Sequence, residues 1–270
     1  MTDDSSSAQQ PYPKIDVSVP HAARIWNYWL GGKDHYPVDR EAGEQYRATY
    51  PAIVDIARQS REFLVRAVGY LAGEAGISQF LDIGTGLPTA NNTHEVAQRV
   101  NPRARIVYVD NDPLVLAHAR VLLTSSPEGA TQYLDADVRD PGKILAEAAS
   151  LLDFTKPIAV MMLGVLGHVL DKENPPGIVR TLVAAVPSGS YLIINDGTNT
   201  DETQNQAADD YADTEAVPYI LRSPEQIAQY FEGLELLEPG VVSTSLWRPE
   251  PTRFGPPAAV DAFCGVARKP

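Results

Sequence analysis

An acid and two spaced glycines, Asp82-Ile83-Gly84-Thr85-Gly86, end the apolar run that starts at Phe80. A strand buried on both faces needs consecutive apolar residues, and glycine permits close backbone approach and positive φ angles that a side chain disfavours. The pattern reads as a buried strand turning into a loop that cradles a nucleotide-type cofactor. A second acid, Asp110, ends the apolar run Arg105-Ile106-Val107-Tyr108-Val109, and a third, Asp137, follows a short run over 131–134. Strand-end acids of an open α/β sheet face the crevice where ligands gather, and one placed like Asp110 grips ribose hydroxyls. Capping of the turns they begin is the competing role for both.

The loop Gly84-Thr85-Gly86-Leu87-Pro88-Thr89 lacks a third glycine, and the next helix cap, Asn92, comes six residues after Gly86 (92 − 86 = 6). A pyrophosphate site needs the helix to open almost at once, so that its amides and dipole point at the phosphates. The spacing therefore favours a nucleoside cofactor without phosphates and disfavours the alternative, an NAD-dependent oxidoreductase. S-adenosylmethionine meets the description: an amino-acid tail at the glycine loop, a ribose diol for Asp110, and an adenine near Asp137-Val138.

Methyl transfer from a sulfonium needs alignment and exclusion of water, because the cofactor brings both electrophile and leaving group. If the nucleophile needs a base, His168, just after the fourth predicted strand, is the best placed of five histidines, although its position suits a packing residue better. Among Trp26, Tyr28, Trp29 and Tyr36, the two tryptophans fall on the apolar helix face and are expected to pack. Tyr28 and the loop 31–34 are expected at the ligand, with Lys33 placed to neutralise a carboxylate. No metal site is expected, since no Cys/His spacing suits zinc. The one cysteine, Cys264, sits in an apolar run and reads as a small buried hydrophobe.

The elements that must position these residues follow from periodicity and punctuation. Ala22, Ile25, Trp26, Trp29 and Leu30 recur at helical spacing before Gly31-Gly32, a second helix starts at Pro37, and Phe63, Leu64, Ala67, Val68 and Leu71 stripe a third. Strand and helix then alternate: strand 79–83, helix 93–100, strand 105–109, helix 113–124, strand 131–134, helix 142–152, strand 158–163, helix 175–186, strand 190–195. Asn92 with Glu95 forms a capping box, and Asp112-Pro113 places a capping acid before a first-turn proline. Residues 197–222 read as a long acidic loop covering the site, in which Asp209, Asp210 and Asp213 form a solvated run. The last strand-like segments, 234–243 and 261–267, have no helix between them and should pair antiparallel.

With 270 residues and 44% hydrophobic content, the chain can bury one large core. The expected organisation is a disordered tail over 1–14, an N-terminal helical cap over 15–76, and a Rossmann-like cofactor domain over 77–270. The 35 acidic and 22 basic residues give a net charge of −13, which repels nucleic acid. No segment has the apolar length of a membrane span, and residues 1–14 lack a secretory pattern, so a cytoplasmic protein is expected. The sequence leaves the oligomeric state open.

His21-Ala22-Ala23-Arg24-Ile25-Trp26-Asn27-Tyr28-Trp29-Leu30-Gly31-Gly32-Lys33-Asp34, the glycine loop, Tyr108-Val109-Asp110-Asn111-Asp112-Pro113, Asp135-Ala136-Asp137-Val138-Arg139-Asp140 and Trp247-Arg248-Pro249 stand together in one chain. In this combination, which covers nearly all of residues 20–267, the sequence resembles the S-adenosyl methyltransferase family formerly described as a domain of unknown function. The resemblance implies a class I methyltransferase fold, an α/β seven-stranded sheet of order 3-2-1-4-5-7-6 with one antiparallel strand. It implies that Asp82, Gly84 and Gly86, with Thr85, line the amino-acid tail. Asp110, with Asn111, would hold the ribose, Asp137 and Val138 the adenine, and Leu163-Gly164 the crevice floor. Pro88 departs from the wider superfamily, which has glycine there. The implied activity is methyl transfer from S-adenosylmethionine to a small-molecule acceptor, with a non-catalytic cofactor-binding module as the alternative.

Overall fold

Apolar runs closed by polar turn residues build the centre of the molecule. A computed structural model describes residues 15–270 apart from 123, 215, 252, 254 and 256; the tail expected over 1–14 lies outside the described residues. Five strands, β1 (Gln79–Ile83), β2 (Arg105–Asp110), β3 (Ala130–Asp135), β4 (Ala159–Leu163) and β5 (Tyr191–Gly197), run parallel. Two two-residue strands, β6 (Glu235–Leu236) and β7 (Val242–Ser243), precede β8 (Ala262–Arg268), and the order is β3-β2-β1-β4-β5-β8-β6 with β7 also on β8. β8 is antiparallel to β5, β6 and β7. This is the sheet of a class I methyltransferase, with β8 as the inserted antiparallel strand. Strand order reverses between β1 and β4, with β2 and β3 added on one side of β1 and β4 and β5 on the other, so the carboxyl ends of β1 and β4 open a crevice there.

Period-two alternation sends side chains to both faces, and each face is covered. Leu81, Ile83, Val107, Val160, Met162 and Ile194 pack under α6 (Pro141–Ala148), α7 (Pro175–Ala185) and α9 (Pro224–Gln229). Phe80, Ile106, Tyr108, Met161 and Ile193 pack under α3 (Ile53–Gly73) and α4 (Thr93–Val100). The capping box at α4 forms as expected, the Asn92 amide donating to Glu95 Oε2 at 2.8 Å. Asp112 caps α5 (Pro113–Leu122) through the Leu114 amide at 2.8 Å. Trp247 is fully buried edge-on to Phe63, and Arg66 donates Nε to the Trp247 carbonyl at 2.8 Å, tying the late Trp-Arg-Pro motif to α3.

Three expectations change. The 197–222 segment is not all loop: α8 (Glu202–Ala212) occupies its middle, started by Asp201, whose carboxylate accepts the Thr203 and Gln204 amides. Its buried face is Gln204, Ala207 and Ala208, too small and polar to show as an apolar stripe. The acidic run 209–213 therefore lies mostly on a helix. The helix expected over 142–152 spans only Pro141–Ala148 before turning. The strand expected over 234–243 is broken into β6 and β7, because Pro239 has no amide to donate and Gly240 turns with φ +88°. Among the described residues, no helix is long and apolar enough to cross a membrane.

Candidate functional site

Where β1 ends, Gly84 turns with φ +73°, and a Cβ there would lie 2.5 Å from the Val165 side chain. Only glycine lets this loop pass against the turn after β4. Gly86, at φ +66°, then directs its amide to Asp110 Oδ2 at 2.8 Å, while the Asp112 amide donates to Oδ1 at 2.9 Å. Burial pushes the Asp110 carboxyl up and these two amides pull it back. Each oxygen accepts one amide, which leaves lone-pair capacity on both for hydroxyl donors. Turn capping and ligand contact, posed as alternatives for Asp110, are compatible in one side chain.

Asp82 is buried and accepts the Thr93 hydroxyl at 2.6 Å. Burial pushes its carboxyl up to about 6; Thr93 and Arg61 oppose the rise and Asp110 adds to it. Arg61, from α3, donates to Thr89 Oγ1, and its Nε is buried without a hydrogen-bond partner among the described residues. A guanidinium in the wall with an unused donor matches a carboxylate. Sequence reasoning missed Arg61, although a charge at 61 between Ala57 and Leu64 interrupts the buried stripe of α3 at helical spacing.

Past β3, Asp137 accepts Arg139 through both oxygens at 2.8 and 2.9 Å, and Asn111 Nδ2 at 3.1 Å. Burial opposes ionisation of Asp137, but Arg139 and Asn111 outweigh it and hold the carboxyl below its usual range. One cavity of about 270 Å³ joins these strand ends. Its wall includes Asp82, Gly84, Thr85, Gly86, Asp110, Asn111, Asp137, Val138, Leu163, Gly164 and His168, all of them expected from the sequence.

Tyr28 and Lys33 are not part of that wall. Tyr28 turns toward α2 (Pro37–Thr49), bonded to Glu44 and edge-on to His35 at 5.1 Å. Lys33 is exposed, in a loop that Asn27 holds back by accepting the Asp34 amide at 3.0 Å. The roles within α1 (Ala22–Trp29) are the reverse of those expected: Trp26 and Trp29 line the cavity. Helical periodicity located the inward face but not what it faces, which is open space at the strand ends. Arg24, itself buried, anchors α1 with Nε 3.5 Å from Asp39 and 3.9 Å from Asp112.

The far end of the cavity, beyond β4 and β5, combines an aromatic wall with unused polar atoms. Trp26, Trp29, Tyr46 and Tyr211 follow one another with centroids 5.8, 5.4 and 6.4 Å apart. Asn195, Asp196 and Tyr211 line it, and Asn195 Oδ1, Asp196 Oδ2 and the Tyr211 hydroxyl are buried without hydrogen-bond partners among the described residues. His168 Nδ1 lies 3.2 Å from the Pro218 carbonyl, and burial pulls its pKa down to about 4. The ring is neutral at neutral pH and resists taking a proton. Asn195 and Asp196 were also missed, yet their signal equals that of Asp82 and Asp110: an apolar run, Tyr191-Leu192-Ile193-Ile194, closed by Asn-Asp-Gly. Among the described residues, no group of three His, Cys, Asp or Glu could hold a metal ion.

A family model described as S-adenosyl methyltransferase matches residues 8–270. The chain is 44% identical to a DUF574 family protein of Streptomyces avermitilis, covering 95% of this chain and 100% of that one, with a TM-score of 0.91. It is 41% identical to a candidate methyltransferase of Thermobifida fusca, covering 96% and 98%, with a TM-score of 0.87. At 14% identity, 91% and 93% coverage and a TM-score of 0.53, the magnesium protoporphyrin IX methyltransferase of Synechocystis, solved with S-adenosylhomocysteine, shares the fold. No curated protein matches the chain.

Proposed function

The chain belongs to the S-adenosyl methyltransferase family, an enzyme class that takes its methyl group from S-adenosylmethionine, and we propose that its acceptor is a small molecule methylated by in-line displacement within the strand-end cavity. The observation that carries this is the continuity of one cavity from Asp110 and Asp137 on the β2 and β3 side to Asn195, Asp196 and Tyr211 on the other. At about 270 Å³ it is small and partly walled by helices, which suits a metabolite rather than a polymer.

The residues present fit the cofactor. Gly84 lets the loop pack against Val165, where a Cβ would clash, and so sets the path of the glycine turn along the cavity. Arg61 carries a buried, unused Nε beside Asp82, a donor and acceptor pair for an amino-acid tail. Asp110 retains acceptor capacity on both oxygens for the ribose hydroxyls, with Asn111 beside it, and Asp137 and Val138 line the edge suited to adenine. When bound, S-adenosylmethionine supplies an electrophilic methyl group and a neutral thioether leaving group. The chain's part is to hold the two reactants in line and exclude water: Gly84 and Gly164 shape the floor, and the α1 tryptophans close the top.

Two measurements test this. Calorimetric titration with S-adenosylhomocysteine should show stoichiometric binding, and its absence from folded protein overturns the cofactor site. Incubation of a cell extract with methyl-labelled S-adenosylmethionine should label the dialysable fraction. Label confined to protein or nucleic acid overturns the small-molecule acceptor.

A further inference from the structure

Resting on the methyl-transfer reading above, we propose that Asp196 is the acceptor-binding and proton-accepting residue, through its Oδ2, and that the acceptor is an amine carried on an apolar, aromatic-sized body. Asp196 closes the apolar run of β5 and is 2% exposed, yet it lines the cavity. Its Oδ1 is occupied, accepting the Tyr219 hydroxyl at 2.7 Å and the Gly167 amide at 3.3 Å. Its Oδ2 has no hydrogen-bond partner among the described residues. A carboxylate held by one oxygen and left bare at the other, with a cavity beside it, is arranged to receive a donor from outside the chain.

The surroundings of Tyr219 argue that this placement is built. A Cβ on Gly167 would lie 2.4 Å from the Tyr219 ring, and one on Gly197 would lie 3.3 Å from it. Two glycines, one in the turn after β4 and one at the end of β5, thus make room for the ring that orients Asp196. The Gly197 amide donates to the Tyr219 hydroxyl at 3.1 Å, so that hydroxyl has its donor supplied and turns its own hydrogen to the carboxylate.

Charge selects the ligand class. The nearest cation, Arg222, spends its donors elsewhere, on the Leu166 and Val169 carbonyls at 2.8 and 2.7 Å and on Asp171 at 2.9 Å. Arg139 is committed to Asp137, and Arg61 lies beside Asp82. An ammonium supplies the missing partner of Asp196, while an anionic acceptor meets repulsion. The wall of Trp26, Trp29, Tyr46 and Tyr211 takes an apolar body, and aromatic faces also attract a cation. Burial pushes the Asp196 carboxyl up to about 6, against the pull of Tyr219 and Arg222, which makes it a better proton acceptor than the neighbouring neutral His168.

The step balances. The bound ammonium passes one proton to Asp196 Oδ2, leaving a neutral amine and a carboxylic acid. The nitrogen lone pair forms the bond to the methyl carbon while the carbon–sulfur bond breaks and its electron pair stays on sulfur. The product leaves as a methylated ammonium, and Asp196 returns its proton to solvent.

The test uses the full chain saturated with S-adenosylhomocysteine and three probes that share a phenyl body: 2-phenylethylamine, 2-phenylethanol and phenylacetate. The amine is expected to bind about tenfold or more tighter than the alcohol, with phenylacetate weakest. Asp196→Asn should abolish the preference for the amine while S-adenosylhomocysteine binds as before. Tyr219→Phe, which keeps the carboxylate but leaves Oδ1 held by the Gly167 amide alone, should loosen its orientation and narrow the preference, and serves where Asp196→Asn does not fold. Equal or better binding of phenylacetate or the alcohol, binding of no probe, or a preference that survives the variants overturns the proposal. Loss of S-adenosylhomocysteine binding by the unmodified chain overturns the cofactor site instead.

Discussion

Arg61 and Asp82 put opposite charges in the wall of the cavity without a direct ion pair between them, and each is costly to bury without a partner. Burial lowers the Arg61 pKa and raises that of Asp82, and each opposes the other's shift. A zwitterionic amino-acid tail would relieve both. Arg61→Met should weaken S-adenosylhomocysteine by about tenfold or more, as loss of a charge-assisted contact does. It should leave 5′-methylthioadenosine, which has no such tail, unaffected; equal losses for both would remove Arg61 from the tail site. His168 offers a pH signature. Its folded pKa of about 4 lies below the ordinary histidine value of 6.5, so between those values the unfolded chain binds more protons and stability falls as pH drops. The raised carboxyls of Asp82 and Asp196, both about 6, work in the opposite direction, gaining stability as pH falls toward their unfolded values. His168→Gln should therefore grow more stable relative to the parent as pH is lowered through that window in urea titrations, and a pH-independent difference would contradict a neutral buried ring.

The turns after β4 and β5 act as a unit because small residues let them interlock. Arg222 stitches the 3-10 turn Leu166–His168 to the segment after α8 through main-chain carbonyls, and the Ile220 amide donates to the Gly167 carbonyl at 2.7 Å. Gly167→Ala would drive a methyl into the Tyr219 ring, and overpacking of this kind costs about 1–3 kcal/mol. Urea denaturation should show that loss while S-adenosylhomocysteine affinity holds, since the β1–β3 side is untouched. Full stability would mean that the ring has room to move. α8, hidden from sequence reasoning by its alanines and glutamine, brings Tyr211 and Gln204 to the same end of the cavity.

At the scale of the whole molecule, the proposed cofactor site draws its residues from β1, β2 and β3 and from α1 and α3, so a cofactor held there would bind only the folded chain. S-adenosylhomocysteine at a hundred times its Kd should therefore raise unfolding free energy by about 2.7 kcal/mol; a shift near zero would mean no site that depends on the fold. The sequence by itself determined the parallel sheet, the glycine turn and the acids at strand ends, because backbone conformation and two-faced burial depend on residue type and period alone. Asp82, Asp110 and Asp137 were legible for that reason. Only the tertiary structure decided which side of α1 meets the cavity, moving Trp26 and Trp29 in and Tyr28 and Lys33 out, since a periodic stripe marks a buried face without saying whether it meets core or ligand. Arg61, Asn195, Asp196 and Tyr219 likewise come from segments far apart in the chain. Their unused or shared polar atoms acquire meaning only when the fold closes one cavity around them.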